Sequence, residues 1–252
     1  MAVESTLVTL KPLSRALQGP GLSGVGVIPI LCGMQARRVT GLRIVGGHPA
    51  LDLANTISSR RGGTGIDCLA TYDDLLLWAA RQGVMDEADA DKLRTAAQLD
   101  PVAAAVALQN AKQLRECIWR MWTEMQAGTD PSAADLALLT CEVLAAQRAR
   151  VLRWSGARGW WQWTEAAGLD AVTARVALAA AELFAGEHLH RIRECEGLQC
   201  GWLFLDATRN GTRRWCVAEQ CGSLDRVTRF RAKRKVGVVA WTRPVASGTG
   251  AA

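Results

Sequence analysis

No stretch of this 252-residue chain suits a bilayer, since a compact run of ~18 apolar residues is nowhere to be found. Lysine is scarce, at five against 25 arginines, and Phe and Tyr together number four beside ten tryptophans. Histidine is scarcer still, at three. No His-Glu metal motif, nucleophile–base arrangement or phosphate-binding glycine loop occurs, so the expectation is not an enzyme. A secretory leader is not legible either. Residues 16–36 are uncharged, but Pro20, Pro29 and five glycines break them, and Arg37 and Arg38 follow the stretch instead of preceding it. Residues 1–41 read as a poorly ordered extension, with Met34 an alternative start. The expected setting is a reducing cytoplasm, without membrane partners, where clustered cysteines favour metal over disulfide.

What is present is a foldable chain. Apolar residues make up 49% and charged residues 21%, enough for a core and too few charges for disorder. The formal charge is +6. Residues 191–235 hold 11 basic and 5 acidic side chains, while the rest carries 19 of each sign, so the whole excess is local.

The pattern predicts an α+β fold: a mostly helical domain with a small β-sheet over 42–190, a metal-binding segment over 191–236 with a basic helix, and a flexible tail over 237–252. Leu42–Val45 and Ala50–Thr56 read as two short strands, because Leu51 and Leu53 alternate with Asp52 and Ala54. Thr71 with Asp74 forms a capping box, and Asp86 starts a second helix. Asp100-Pro101 and Asp130-Pro131 each place a capping side chain before proline, and Asp170 starts a last helix. Val151–Trp154 and Gly159–Thr164 read as a hairpin, with Trp161 and Trp163 on one face. Those two indoles, with His48, Asp52 and Asn55, are the candidate lining of a ligand pocket for a small-molecule effector. The alternative is that the tryptophans are core and His48 is a structural turn residue.

The strongest signal is Cys195-x4-Cys200-x15-Cys216-x4-Cys221. Two close pairs separated by a hairpin-length insert supply the corners of a tetrahedral four-thiolate site. Four protein ligands leave no open position, so one structural Zn2+ is expected, with an iron–sulfur cluster as the alternative. Trp202 and Phe204 alternate between the pairs, and read as a miniature core over the metal or as platforms for base stacking. From Ser223 to Lys235, Leu224, Val227 and Phe230 share one side of a projected helix, opposite Arg226, Arg229 and Lys233. That helix is expected to pack its apolar side on the metal knuckle. Oxidation of the thiolates would eject the metal and unfold the segment.

The run from Cys195 to Gly222, including Trp202, Phe204, Asp206, Arg209, Asn210, Arg213, Arg214 and Trp215, resembles the CGNR zinc-finger family. Gly46–Thr56 and the Thr71–Val84 segment are similar to the ABATE domain that accompanies this finger. The resemblance implies a bacterial, stress-associated transcription regulator whose finger binds double-stranded DNA and whose larger domain senses a signal or forms a homodimer. It carries the zinc cysteines onto Cys195, Cys200, Cys216 and Cys221. Where the family reads Asn-Arg after Cys-Gly, this chain has Ser223-Leu224. The expected DNA contacts are Arg209, Arg213, Arg214, Arg226, Arg229, Arg231, Lys233 and Arg234. The alternative function is a zinc-dependent protein-interaction module that does not touch DNA.

Overall fold

The computed structural model describes residues 39–61 and 65–239, and for 232–239 the backbone alone. The expected extension up to residue 38, Met34 with it, and the tail from residue 240 lie outside the described residues. A short 3-10 turn, Val39–Gly41, already puts Val39 in the core.

The first helix, α1 (Pro49–Ala54), stands where a strand was expected. His48 caps it, its Nδ1 accepting from the Ala50 amide at 3.3 Å, and Pro49 presets the first helical φ. Leu51, Asp52 and Leu53 are all buried, so the apparent two-faced alternation is a helix enclosed by core. Leu42–Val45 likewise forms no strand. The capping box at Thr71 opens α2 (Tyr72–Gln82), and Asp86 caps α3 (Glu87–Leu99). Asp100 accepts from the Ala103 amide to open the long α4 (Pro101–Gln126).

Helix α5 (Ala133–Arg148) begins two residues later than the Asp-Pro signal suggests. Ser132 is its cap, and the Asp135 carboxylate is clamped by Arg120. The hairpin is formed by β1 (Arg150–Ser155) and β2 (Arg158–Trp163), antiparallel, with Leu152 opposite Trp161. Only its base is anchored, where Trp163 packs against Ala146, Ala174 and Leu178. Trp154 (69% exposed), Trp160 (45%) and Trp161 (55%) stand at the surface, which corrects the reading of this cluster as core. Asp170 does not cap α6 (Ala171–Ala185); its carboxylate instead accepts from Asn110 Nδ2 at 3.1 Å.

Helices α1, α2 and α4 pack around α6, which is buried along most of its length. The same core continues into the cysteine segment through β3 (Ile192–Glu194) and β4 (Leu203–Leu205). Ile192, Trp202, Leu203 and Phe204 belong to one cluster with Leu51, Leu53, Trp78 and Leu114. A five-residue π-helical turn, Ala218–Gly222, leads into α7 (Ser223–Val239).

Candidate metal centre

The two cysteine pairs are brought together by a small antiparallel ribbon. In it Ile192 faces Leu205 and Glu194 faces Leu203, and the Cys195 amide donates to Trp202 O at 2.8 Å. Gly201 turns the chain with φ +65°, and a Cβ there would meet Arg60 Cβ at 3.0 Å. Glycine is required on both counts. A Cβ on Gly197 would sit 3.2 Å from Cys221 Sγ, so the loop of the first pair closes directly on the second pair.

The four Sγ atoms all lie within 4.8 Å of one another, with Cys200–Cys216 at 3.6 Å and Cys216–Cys221 at 3.7 Å. A tetrahedron with Zn–S of about 2.3 Å places its sulfurs about 3.8 Å apart. The donor set therefore fits one zinc ion, and a cage this tight has no room for a cluster of several irons. Cys195, Cys216 and Cys221 are buried and Cys200 nearly so. Close neighbouring sulfurs, Cys195 first, and burial push the Cys200 and Cys216 thiols well up. Four thiolates coexist here only around a cation, which makes metal binding part of folding. The centre is one structural zinc site; zinc held by these four residues orders the segment and leaves no position for catalytic water.

The cage is fastened to the helical body by backbone contacts that the sequence conceals. Asn55 Nδ2 donates to Leu203 O and its Oδ1 accepts from Leu203 N, both at 2.8 Å and both buried. Trp202 Nε1 donates to Ile57 O at 2.7 Å, Arg60 N to Cys200 O at 2.9 Å, and Leu205 N to Gly46 O at 2.8 Å. The Arg60 guanidinium in turn donates to Ala54 O, pairs with Glu116 at 2.6 Å and lies 4.8 Å from the Trp119 ring. Buried Arg115 joins Glu116 to Asp67. Burial alone would raise the Glu116 carboxyl, but Arg60 and Arg115 outweigh it and hold it below the ordinary range. Arg60, Arg115 and Glu116 carried no motif, and only their long-range pairing marks them.

Two recesses among the described residues, one between α2, α3 and α4 and one on the finger, are lined by none of the five candidate pocket residues. His48 is the α1 cap, and burial lowers its imidazole below the usual value. Asp52 accepts from the Val45 and Gly46 amides at 3.0 and 2.7 Å and from Gln82, yet burial still raises its carboxyl. Asn55 is the strut to Leu203. Trp161 and Trp163 sit on the hairpin, with Arg150 5.0 and 5.6 Å above their rings. An open groove of about 450 Å³ lies elsewhere, between α2, α3 and α4, lined by Tyr72, Leu76, Arg94, Pro101 and Leu108 among others.

The arginines expected at DNA divide by environment. Arg213 is committed internally: it donates to the carbonyls of Trp215, Cys216 and Val45, and stacks 4.2 Å from the Phe204 ring. Arg214 pairs with Glu196 and lies 4.9 Å from the Trp215 ring. Arg209, Arg226, Arg229 and Arg231 are exposed; Arg226 reaches Ser223 Oγ, and Arg229 pairs with Asp225. Lys233 and Arg234 lie on the last turns of α7, beyond the described side chains. Trp202 and Phe204 are buried in the main core, which removes them as base-stacking platforms. The apolar side of α7 is covered only in part: Leu224 is half-buried, whereas Val227 is 46% and Phe230 62% exposed.

Among known families, ABATE, described as a "putative stress-induced transcription regulator", matches residues 47–187, more than half of the chain. The CGNR zinc finger matches residues 191–234 and includes all four cysteines. Comparison with curated proteins finds no match. Among the described residues no helix is long and apolar enough to cross a membrane. The ABATE match over the helical body and the four-sulfur cage within the finger match agree, and the chain belongs to the ABATE family of regulators, carrying a CGNR zinc finger after the ABATE region.

Proposed function

We propose that this protein is a transcription regulator that binds double-stranded DNA through its zinc-ordered segment. The observation carrying this reading is the exposure of Arg226 and Arg229, one turn apart on the helix that leaves the cage, with exposed Arg231 further round the same helix. No acidic residue follows Asp225 anywhere in the chain. In this reading zinc fixes where α7 starts, and α7 presents the Arg226 and Arg229 guanidiniums one turn apart. Such a helix suits a phosphate backbone or the major groove. Arg209 and Arg214 add exposed charge from the inter-pair loop, with Lys233 and Arg234 extending it. Arg213 supports the loop from inside. The test is a mobility-shift assay with zinc-loaded and chelated protein beside Cys216→Ser, followed by genome-wide mapping of bound DNA. Binding that survives metal loss defeats the reading.

In this scheme the helical body supplies sensing and pairing. The groove between α2, α3 and α4 suits a small, largely apolar effector, with the Asp73–Arg94 pair at its edge. Leu152, Trp154 and Trp161 form one exposed apolar face of the hairpin, which pairs two copies of the chain. Light scattering on a Trp154→Ser, Trp161→Ser variant tests this, because an unchanged mass would reject it. The exposure of Val227 and Phe230 favours a second reading, in which α7 docks on a partner protein. That reading predicts no DNA shift.

A further inference from the structure

A recess of about 240 Å³ lies on the finger, away from the four sulfurs, between the chain entering β3 and the chain leaving β4. It is lined by His190, Arg191, Arg193, Arg209, Asn210 and Gly211, with Asp206 at its floor. Three arginines line a volume that accommodates a phosphate-sized anion. Internal ion pairs do not account for the cluster. Among the described residues no carboxylate pairs with Arg191, Arg193 or Arg209, whereas Arg60, Arg61, Arg94, Arg115, Arg120, Arg175, Arg214 and Arg229 all have acidic partners.

The single acidic group at the recess is turned to another task. Asp206 is fully buried; its Oδ1 accepts from Thr208 N at 2.9 Å and Thr208 Oγ1 at 2.6 Å, and its Oδ2 accepts from Arg213 N at 2.9 Å. Those donors tie off the loop from Thr208 to Arg213. Arg191 is set in place by donating to Asp206 O at 3.2 Å and Thr208 O at 3.1 Å. Arg193 and Arg209 are exposed; the Arg193 charge interacts with the Asp206 carboxylate, and no described carboxylate forms an ion pair with Arg209. A recess with a held loop, the unpaired Arg209 guanidinium and Arg191 and Arg193 beside it, its one carboxylate occupied by three loop donors, is complementary to a compact, multiply charged oxyanion.

We propose that this recess is a phosphoryl-binding site, with Arg193 and Arg209 as the charge-pairing residues and Arg191 as the positioning residue. The ligand chemistry is a tetrahedral phosphate oxyanion, supplied either by a DNA backbone or by a free phosphate or phosphomonoester. The second source would make the finger itself responsive to a phosphorylated signal. The assignment rests on the DNA-binding reading and deepens it; it shares Arg209 with that reading but none of the α7 arginines that carry it, so the two fail separately.

The test uses the zinc-loaded full chain at constant ionic strength, titrated with inorganic phosphate and with chloride as the control. Binding is followed by calorimetry and by phosphorus NMR. Saturable phosphate binding is expected, weakened roughly tenfold or more in Arg193→Gln and in Arg209→Gln, as loss of a charge-assisted hydrogen bond implies. The visible spectrum of the cobalt-substituted protein, unchanged in both variants, shows that the cage still forms. If the variants also weaken binding of a duplex lacking terminal phosphates, and phosphate competes with that duplex, the source is the DNA backbone. If phosphate binds to an Arg226→Gln, Arg229→Gln protein that no longer binds DNA, and the recess variants leave duplex binding intact, the source is a free anion. Absence of saturable phosphate binding, or recess variants that bind phosphate like the parent, overturns the proposal whatever the DNA result.

Discussion

Replacing Asn55 by alanine separates a strut from a pocket residue. Its amide makes two 2.8 Å hydrogen bonds to the N–H and C=O of Leu203, 148 residues away, and Leu203 is fully buried. Truncation leaves both backbone groups without a partner where water does not reach. Each unsatisfied group costs about 1–3 kcal/mol, so Asn55→Ala should lose about 2–6 kcal/mol. That is a large part of a typical domain's 5–15 kcal/mol or so. Asn55→Asp should do at least as badly, because it sets an oxygen against the Leu203 carbonyl and adds a buried charge. The assay is urea unfolding of zinc-loaded protein followed by tryptophan fluorescence, with zinc release to a chromogenic chelator measured in parallel. Zinc should leave faster from the variant, since β4 lies between the two cysteine pairs. A loss below about 0.5 kcal/mol, within the range of an ordinary surface change, would refute the reasoning.

Three further outcomes follow from the same contacts. Chelation of the metal should abolish protection of the β3–β4 amides in hydrogen exchange while α2 to α6 keep their helical circular dichroism, because most of the core lies outside the finger; simultaneous loss of both signals would contradict this. Glu116 and Asp67 are held below their ordinary values, so the stabilisation they give is present above about pH 4 and lost as pH falls through their folded-state values. Asp67→Asn should flatten that acid slope in pH-dependent unfolding, and an unchanged slope counts against the network. Asp52 has the opposite sign: burial raises its carboxyl, so its ionisation opposes folding as pH rises through the shifted range. Asp52→Asn should therefore weaken that trend, read by the same unfolding series.

Local signals were legible where one side chain dictates one bond. Thr71, Asp86 and Asp100 each cap the helix their spacing predicts, and the cysteine spacing predicts the cage. Around α1 the apolar alternation misled, because a six-residue helix enclosed on every side buries polar Asp52 along with Leu51 and Leu53. The hairpin misled for a related reason. Register fixes which indoles share a face, but not whether a neighbouring element covers that face. Asn55 carries no local signature, since its partner lies at the far end of the chain. The apolar side of α7 was legible as a pattern, and its exposure was not.

In the proposed function, zinc orders a helix whose arginines bind DNA phosphates. The most direct measurement is the salt dependence of duplex affinity by fluorescence anisotropy, for the zinc-loaded protein and an Arg226→Gln, Arg229→Gln, Arg231→Gln variant. With roughly six phosphate contacts, log affinity should fall against log salt with a slope near −5, and the variant's slope should be shallower by about 2 to 3. A salt-independent affinity, or equal slopes for the two proteins, would contradict the account.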